Sequence, residues 1–160
     1  MTSPSIVRLA RPEDEASLME MCRLLHQENG VFSMDDDLVL AVLRRAFERQ
    51  GVIIGVIGPE HALEGVICLV IGSFWYSRQP HLEELFNFVH PEHRRSDHAK
   101  ALIEFAKQCS SESAPLVIGV ISNERTEAKV RLYERRLGKP AGAFFLYPNH
   151  NSPAQPVTEH

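Results

Sequence analysis

The chain has 160 residues, 44% of them hydrophobic and 24% charged, with a formal net charge of −4. That length suits one domain, and that composition buries a real core, so global disorder is excluded. The acidic balance argues against a generic nucleic-acid binder, although Arg94 and Arg95 form a local basic patch.

Cys22, Cys68 and Cys109 are odd in number, far apart and each in an apolar stretch, which reads as buried, reduced thiols in a cytoplasmic protein. Met1 to Ser5 is short and polar, with no apolar core behind a basic start, and is read as no signal peptide. The longest apolar run, Gly65 to Ile71, is far too short to span a bilayer.

In chain order, Ile6 to Ala10 reads as a first strand. Pro12 and the acidic Glu13, Asp14 and Glu15 suit a helix start. Leu18, Met21, Cys22 and Leu25 share one helical face, and Asn29-Gly30 ends that helix. Ser33 with Asp36 resembles a capping box opening a second helix, striped by Val39, Val42, Leu43, Ala46 and Phe47 and ended by Gly51. Val52 to Ile57 and Leu63 to Ile71 flank Gly58-Pro59-Glu60-His61 as a hairpin. Leu82 to Val89 is a further strand, closed by Pro91. Ala99, Leu102, Ile103 and Ala106 mark a third helix, and Pro115 introduces the strand Leu116 to Ile121. A fourth helix is expected over Glu124 to Leu137, between Asn123 and Gly138 as caps, with a last strand at Ala143 to Tyr147. The order is β-α-α-β-β-β-α-β-α-β, a mixed α/β domain over residues 1–147 with a polar, Pro-rich tail over 148–160.

The chemistry is expected where the strand ending at Val89 turns through His90-Pro91-Glu92-His93-Arg94-Arg95-Ser96-Asp97 into the helix at His98-Ala99. A helix start offers unpaired N–H groups and partial positive charge, so anions bind there. Arg94, Arg95 and Ser96 add donors, and the small Ala99 permits close approach. A solvated basic turn that only connects two elements is the alternative.

Val89-x-Pro91-x-x-Arg94, followed by Ala99, Leu102 and Ile103, resembles the acetyl-coenzyme A loop of the GNAT superfamily of N-acyltransferases. That pattern runs Arg or Gln, two residues, Gly, one residue, Gly or Ala, and Arg94 and Ala99 match its ends. Asn123, Ala128, Leu132-Tyr133-Glu134-Arg135 and Leu137-Gly138 resemble the second cofactor motif, and Phe144 to Tyr147 the closing strand. The Arg-Arg-Ser-x-His-Ala variant also resembles, more loosely, acetyltransferase-like proteins of tailed bacteriophages. Asp97 departs from the pattern, which wants Gly. Its charge sits beside the expected pyrophosphate, and its side chain could cap the helix and take an N–H from the phosphate. The resemblance implies a single-domain GNAT-like α/β fold, a mixed central sheet flanked by helices.

It also implies roles. Backbone groups at Phe88 and Val89 would pair with the pantetheine arm, Arg94, Arg95, Ser96, Asp97, His98 and Ala99 would surround the pyrophosphate, and Asn123 would reach the arm. Tyr133 resembles the general acid. With an unperturbed pKa of about 10 it stays protonated and can donate, although Val130 and Leu137 also suit it to plain packing. Period-two alternation sends Glu83 and Glu84 to opposite faces, with Leu85 and Asn87 turned away from Glu84. Glu84 is therefore preferred as base, against a solvated edge carboxylate or a water chain. His26, Glu28, Asn29 and Phe32, with Trp75 and Tyr76, are candidates for the acceptor wall. His90, His93 and His98 are irregularly spaced and read as solvated loop histidines, with no metal expected.

The expected activity is transfer of an acetyl group from acetyl-coenzyme A, as cosubstrate, to a primary amine on a small molecule or peptide, by direct attack. No nucleic-acid or membrane partner is expected, and self-association into a homodimer stays open. The alternative is a GNAT-fold module that binds coenzyme A weakly or is inactive, in a virion or regulatory complex, and Asp97 favours it.

Overall fold

The computed structural model describes residues 5–122 and 125–148. Its centre is a five-stranded sheet in the order β1-β2-β3-β4-β5. The strands are β1 (Arg8–Leu9), β2 (Val52–Ile57), β3 (Gly65–Ser73), β4 (Pro80–Val89) and β5 (Leu116–Ile118), and the helices are α1 (Glu15–Asn29), α2 (Asp36–Phe47), α3 (His98–Cys109) and α4 (Thr126–Leu137). The first four strands are antiparallel to their neighbours, and β5 joins β4 in parallel. This is the expected mixed sheet with flanking helices.

Alternation along the strands divides the core into two layers. Val52, Ile54, Val56, Val66 and Cys68 pack with Leu18 and Met21 of α1 and Leu43 of α2. Ile67, Leu69 and Leu82 pack on the other face against Leu102 and Ala106 of α3. Cys22 and Cys68 are buried free thiols, pushed up to about 11 and about 12 by burial, while Cys109 is half-buried. Among the described residues no helix is long and apolar enough to cross a membrane.

Several boundaries differ from the sequence expectation. The Asp14 carboxylate is wholly buried rather than a surface acid at a helix start, and takes two hydrogen bonds from the Arg8 guanidinium at 2.7 and 2.8 Å. It also accepts from the Arg11 amide at 2.8 Å, and Arg8 reaches the Gly58 carbonyl at 3.2 Å. One ion pair thus ties β1, the α1 start and the β2–β3 turn together. Burial alone would raise the Asp14 pKa, but Arg8 and the Arg11 amide outweigh it and hold the carboxylate below its ordinary range. The cap of α2 is Asp35, not Ser33: Asp35 Oδ1 accepts from the amides of Asp37 and Leu38 at 3.0 and 3.2 Å, which places Asp36 inside the first turn. The second strand of the hairpin begins at Gly65 rather than Leu63, because the Leu63 amide donates to Ser17 Oγ of α1 at 3.3 Å.

The last strand does not form among the described residues. Ala143 to Tyr147 makes no ladder, and Phe145 and Tyr147 are each 94% exposed. β5 stops at Ile118 instead of Ile121, so that segment has no extended edge to pair with. α4 starts at Thr126, later than Glu124, with the Arg125 amide donating to Ser122 Oγ at 3.2 Å. Asn123 and the tail beyond Pro148 lie outside the described residues. Gly138 ends α4 as expected, at φ 98°.

Gly55 of β2 is required by close packing rather than by its backbone angles. A Cβ there would lie 2.7 Å from the Phe105 ring of α3 and 2.8 Å from Val7. Gly55→Ala should therefore overpack the joint between helix and sheet and destabilise by about 1–3 kcal/mol. Denaturant unfolding reads this directly, and an unchanged midpoint at constant slope would contradict the packing described.

Candidate active site

β4 is paired on both sides for only part of its length. Leu82, Glu83 and Glu84 face Leu116, Val117 and Ile118 of β5, and the pairing then stops. On its other edge β4 follows β3 as far as Val89 opposite Gly65. The ladder slips once on the way: Glu84 faces Leu69 and Phe86 faces Cys68, leaving Leu85 as an extra, bulged residue. The bulge reverses the alternation expected after Glu84, so Glu84 and Asn87 lie on the same face.

A cleft of about 160 Å3 opens at this parting. Asn87, Phe88 and Val89 form one wall and Ala128, Lys129, Leu132 and Tyr133 of α4 the other. Arg94, Ser96 and Ala99 supply the floor at the α3 start, and Glu28 and Asn29 reach in from the end of α1. Of the residues expected around the pyrophosphate, Arg94, Ser96 and Ala99 line the cleft and Arg95, Asp97 and His98 do not.

The local sequence explains this division. Pro91 starts a single 3-10 turn, Pro91–His93, in which His90 Nδ1 accepts from the Glu92 amide at 3.2 Å. Ser96 Oγ donates to the His93 carbonyl and accepts from the His98 amide at 3.3 Å. Asp97 occupies the N-cap position but makes no side-chain cap. It is exposed, as is Arg95, so the expected cap comes from Ser96 instead.

His98 is buried, not solvated. Its Nδ1 meets Ser5 Oγ at 2.8 Å and its Nε2 meets Glu64 Oε2 at 2.7 Å, which bolts the α3 start to the β2–β3 hairpin. The fold also gathers two groups that irregular spacing did not suggest, Glu64-His93-His98 and His90-Glu92-His93, with potential metal-ligand atoms within 4.8 Å of one another. In the first, both His98 nitrogens have partners.

Arg94 is held on three sides. Its Nε donates to the Val89 carbonyl at 3.2 Å, its guanidinium lies 5.5 Å from the Phe88 ring centre, and Nη2 meets Glu28 at 2.5 Å. The other oxygen of Glu28 accepts from Arg125 at 3.3 Å. Burial works against the charge of Glu28, but the two arginines overcome it and hold the carboxylate below its usual range. Arg125 and Lys129 were not anticipated. They lie eight and four residues before Tyr133, on one helical stripe, and that spacing was the available signal.

Tyr133 donates its hydroxyl hydrogen bond to Glu84, at 2.9 and 3.2 Å from the two carboxylate oxygens. Asn87 faces the same hydroxyl. Burial raises the Glu84 carboxyl to about 7, against the lowering effects of the Tyr133 hydrogen bond and the Lys129 charge. Burial, then the charge of Glu84, raises Tyr133 well above its ordinary range. Lys129 is lowered, chiefly by burial. The result is an acid that keeps its proton bonded to a carboxyl poised near neutrality. Phe32, Trp75 and Tyr76 are largely exposed and do not line this cleft. Phe32 contributes only its carbonyl, accepting from His26 Nε2 at 2.6 Å.

No protein-family model and no curated protein matches the chain by sequence. Solved structures do match its fold. A Trypanosoma brucei acetyltransferase superposes with a TM-score of 0.64 at 20% identity, covering 88% of this chain and 96% of the other. AAC(6')-Iy in complex with the bisubstrate analogue CoA-S-monomethyl-acetylneamine gives 0.67 at 14% identity, covering 89% and 95%. Ribosomal-protein-alanine N-acetyltransferase from Brucella melitensis biovar Abortus 2308 gives 0.65 at 16%, covering 88% and 96%. The fold is that of the GNAT acetyltransferases.

The hydrogen bond from Tyr133 favours the charged form of Glu84. Tyr133→Phe removes it, so the Glu84 carboxyl should titrate above the value of about 7 it has with the hydroxyl present. Carboxyl-detected NMR titration measures this, and an unchanged or lower midpoint would show that the pair is not coupled as described.

Proposed function

We propose that the protein is an N-acetyltransferase that moves the acetyl group of acetyl-coenzyme A to a primary amine by direct attack. The observation that carries this reading is the buried Glu84–Tyr133 pair at the edge of a cleft whose floor is a helix N-terminus flanked by arginines. Likeness to acetyltransferase folds supports it.

The residues present fit the cosubstrate. The α3 start, Ser96, Arg94 and Arg125 converge where an anionic pyrophosphate would lie. Binding there requires Glu28 to yield the two arginines, a charge exchange that salt should modulate. Beyond Glu84, the β4 edge at Phe88 and Val89 has no strand partner among the described residues, and the amide-bearing arm would take that place. Asn123 is retained as a contact for the arm. Arg95, Asp97 and His98 would act from behind the cleft, His98 by fixing the loop and Asp97 as an unhelpful charge.

Glu84 serves as the base. At neutral pH a substantial fraction is deprotonated and can accept the proton of the incoming ammonium. The amine nitrogen then bonds to the acetyl carbonyl carbon as the carbon–sulfur bond breaks, and its second proton is released to solvent. Tyr133 gives its proton to the leaving thiolate and recovers one from Glu84 along their hydrogen bond. One observation favours the alternative of a weak or inactive module: the Glu28 carboxylate already holds Arg94 and Arg125 in the cleft.

Five outcomes test the reading. Calorimetric titration should show acetyl-coenzyme A binding that stabilises the fold through linkage, and its absence would favour the inactive module. With a working acceptor, the rate should rise with pH through about 7, as Glu84 loses its proton. Glu84→Gln should flatten that limb and lower turnover by about 10²–10⁴-fold, whereas Tyr133→Phe lowers turnover with cosubstrate affinity nearly unchanged. A retained limb in Glu84→Gln would assign the base elsewhere. Asp97→Gly should tighten cosubstrate binding, more at low salt than at high salt, and with no side-chain cap to lose. Weaker binding by the folded variant would mean that Asp97 supports the loop.

A further inference from the structure

A second cavity, of about 390 Å3, lies between α1, α2 and β4. Its walls include Cys22 and Leu25 of α1, Leu38 and Val39 of α2, and Leu85 and Phe86 of β4. Leu38 is 68% and Leu85 46% exposed, so apolar surface is left uncovered there. The bulge is what brings Leu85 to it.

Asn29 joins this cavity to the cleft, since it lines both. It is 7% exposed, yet neither Oδ1 nor Nδ2 has a partner among the described residues. Buried amides are almost always paired, and one left unpaired on both atoms is costly. Here it borders two spaces that a ligand can enter, and what it lacks is one donor and one acceptor. Among the described residues that line this cavity, charged groups are sparse. Among the described residues Asp35 is the one carboxylate lining it, and its Oδ1 already accepts two helix amides. His26 spends Nε2 on the Phe32 carbonyl. Nothing in the lining offers the array of acids that a polycation requires.

We propose that the acceptor is a monoamine carried on an apolar body with a neutral amide beside the amine, such as the amide of an apolar amino acid or the N-terminal residue of a peptide. This deepens, and rests on, the transferase reading. The apolar side chain fills the space between Leu25, Leu38 and Phe86. The acceptor's amide carbonyl takes the Asn29 N–H, and its amide N–H donates to Asn29 Oδ1. The amine is left toward the cleft. In the transfer, the new nitrogen–carbon bond replaces the carbon–sulfur bond, the amine's proton ends on sulfur, and the products are the N-acetylated amide and coenzyme A.

The test uses the full chain, acetyl-coenzyme A and three amines: L-phenylalaninamide, glycinamide and the polycationic neamine. Thiol release is followed together with amine binding by calorimetry. L-phenylalaninamide should have a kcat/KM at least about tenfold above either other amine. Asn29→Leu removes an unpaired polar group, so it should keep or raise the melting temperature while weakening L-phenylalaninamide binding by about tenfold or more. Leu38→Asp, at an exposed position, should weaken it as well. Preference for neamine, or L-phenylalaninamide affinity unchanged in folded Asn29→Leu, would overturn the inference. Thiol release with neamine alone would overturn it and leave the transferase reading intact. Asn29-dependent binding without thiol release would uphold the ligand class and count against the transferase.

Discussion

Everything at the site depends on β4 changing partners. The strand is held along its whole length by β3 but by β5 only up to Glu84. Past that point one edge carries N–H and C=O groups with no strand beside them among the described residues. In a closed sheet such an edge would be a liability. Here it forms the wall of a cleft, directly above a helix N-terminus. The bulge at Leu85 occurs at the same place. It turns Glu84 and Asn87 to one side, where both meet Tyr133, and it pushes Leu85 toward the second cavity. One extra residue in one strand thus sets which β4 side chains face the cleft and which face the second cavity.

Local signals were legible in the sequence wherever the physics is local. Pro12, Gly138 and the spacing Ala99-Leu102-Ile103-Ala106 mark elements close to where they form, and β2 spans the residues expected of it. The loop from Val89 to Ala99 could be read as an anion site because a strand end, a basic turn and a helix start are contiguous. Alternation alone points Glu84 at the cleft, but it carries no sign of the bulge at Leu85, so neither the pairing of Glu84 with Tyr133 nor the turn of Asn87 to the same face is legible in the sequence. Illegible were contacts between segments remote in the chain. Glu28 meets Arg94 across 66 positions and Arg125 across 97. His98 read as a loop histidine because its partners, Ser5 and Glu64, come from elsewhere. The closing strand was expected from Phe144 to Tyr147, yet a strand needs an edge, and β5 ends too early to offer one.

The electrostatics of the cleft divide into a built part and an opposed part. Burial raises Glu84 against the aid of Tyr133 and Lys129, which suits a base near neutral pH and costs folding stability when it is charged. A carboxyl whose folded pKa stands above its unfolded value loses stability as pH rises from about 4.3 toward about 7. The opposed part is Glu28. Held below its usual range by Arg94 and Arg125, it stays charged and occupies both arginines. Such a contact keeps the arginines satisfied in the free protein, and it makes anion binding an exchange rather than a simple gain. Function and stability therefore pull in opposite directions at both carboxylates, as is common at sites that break local rules.

The central claim is that the parting of β4 and β5 holds the arm and pyrophosphate of coenzyme A. A crystal structure of the protein grown with coenzyme A tests it most directly. The arm should run along the free edge of β4 at Phe88 and Val89, with the pyrophosphate over Ser96 and Ala99 and Glu28 moved off Arg94. Coenzyme A found elsewhere, with Glu28 still bound to both arginines and the β4 edge empty, would contradict it.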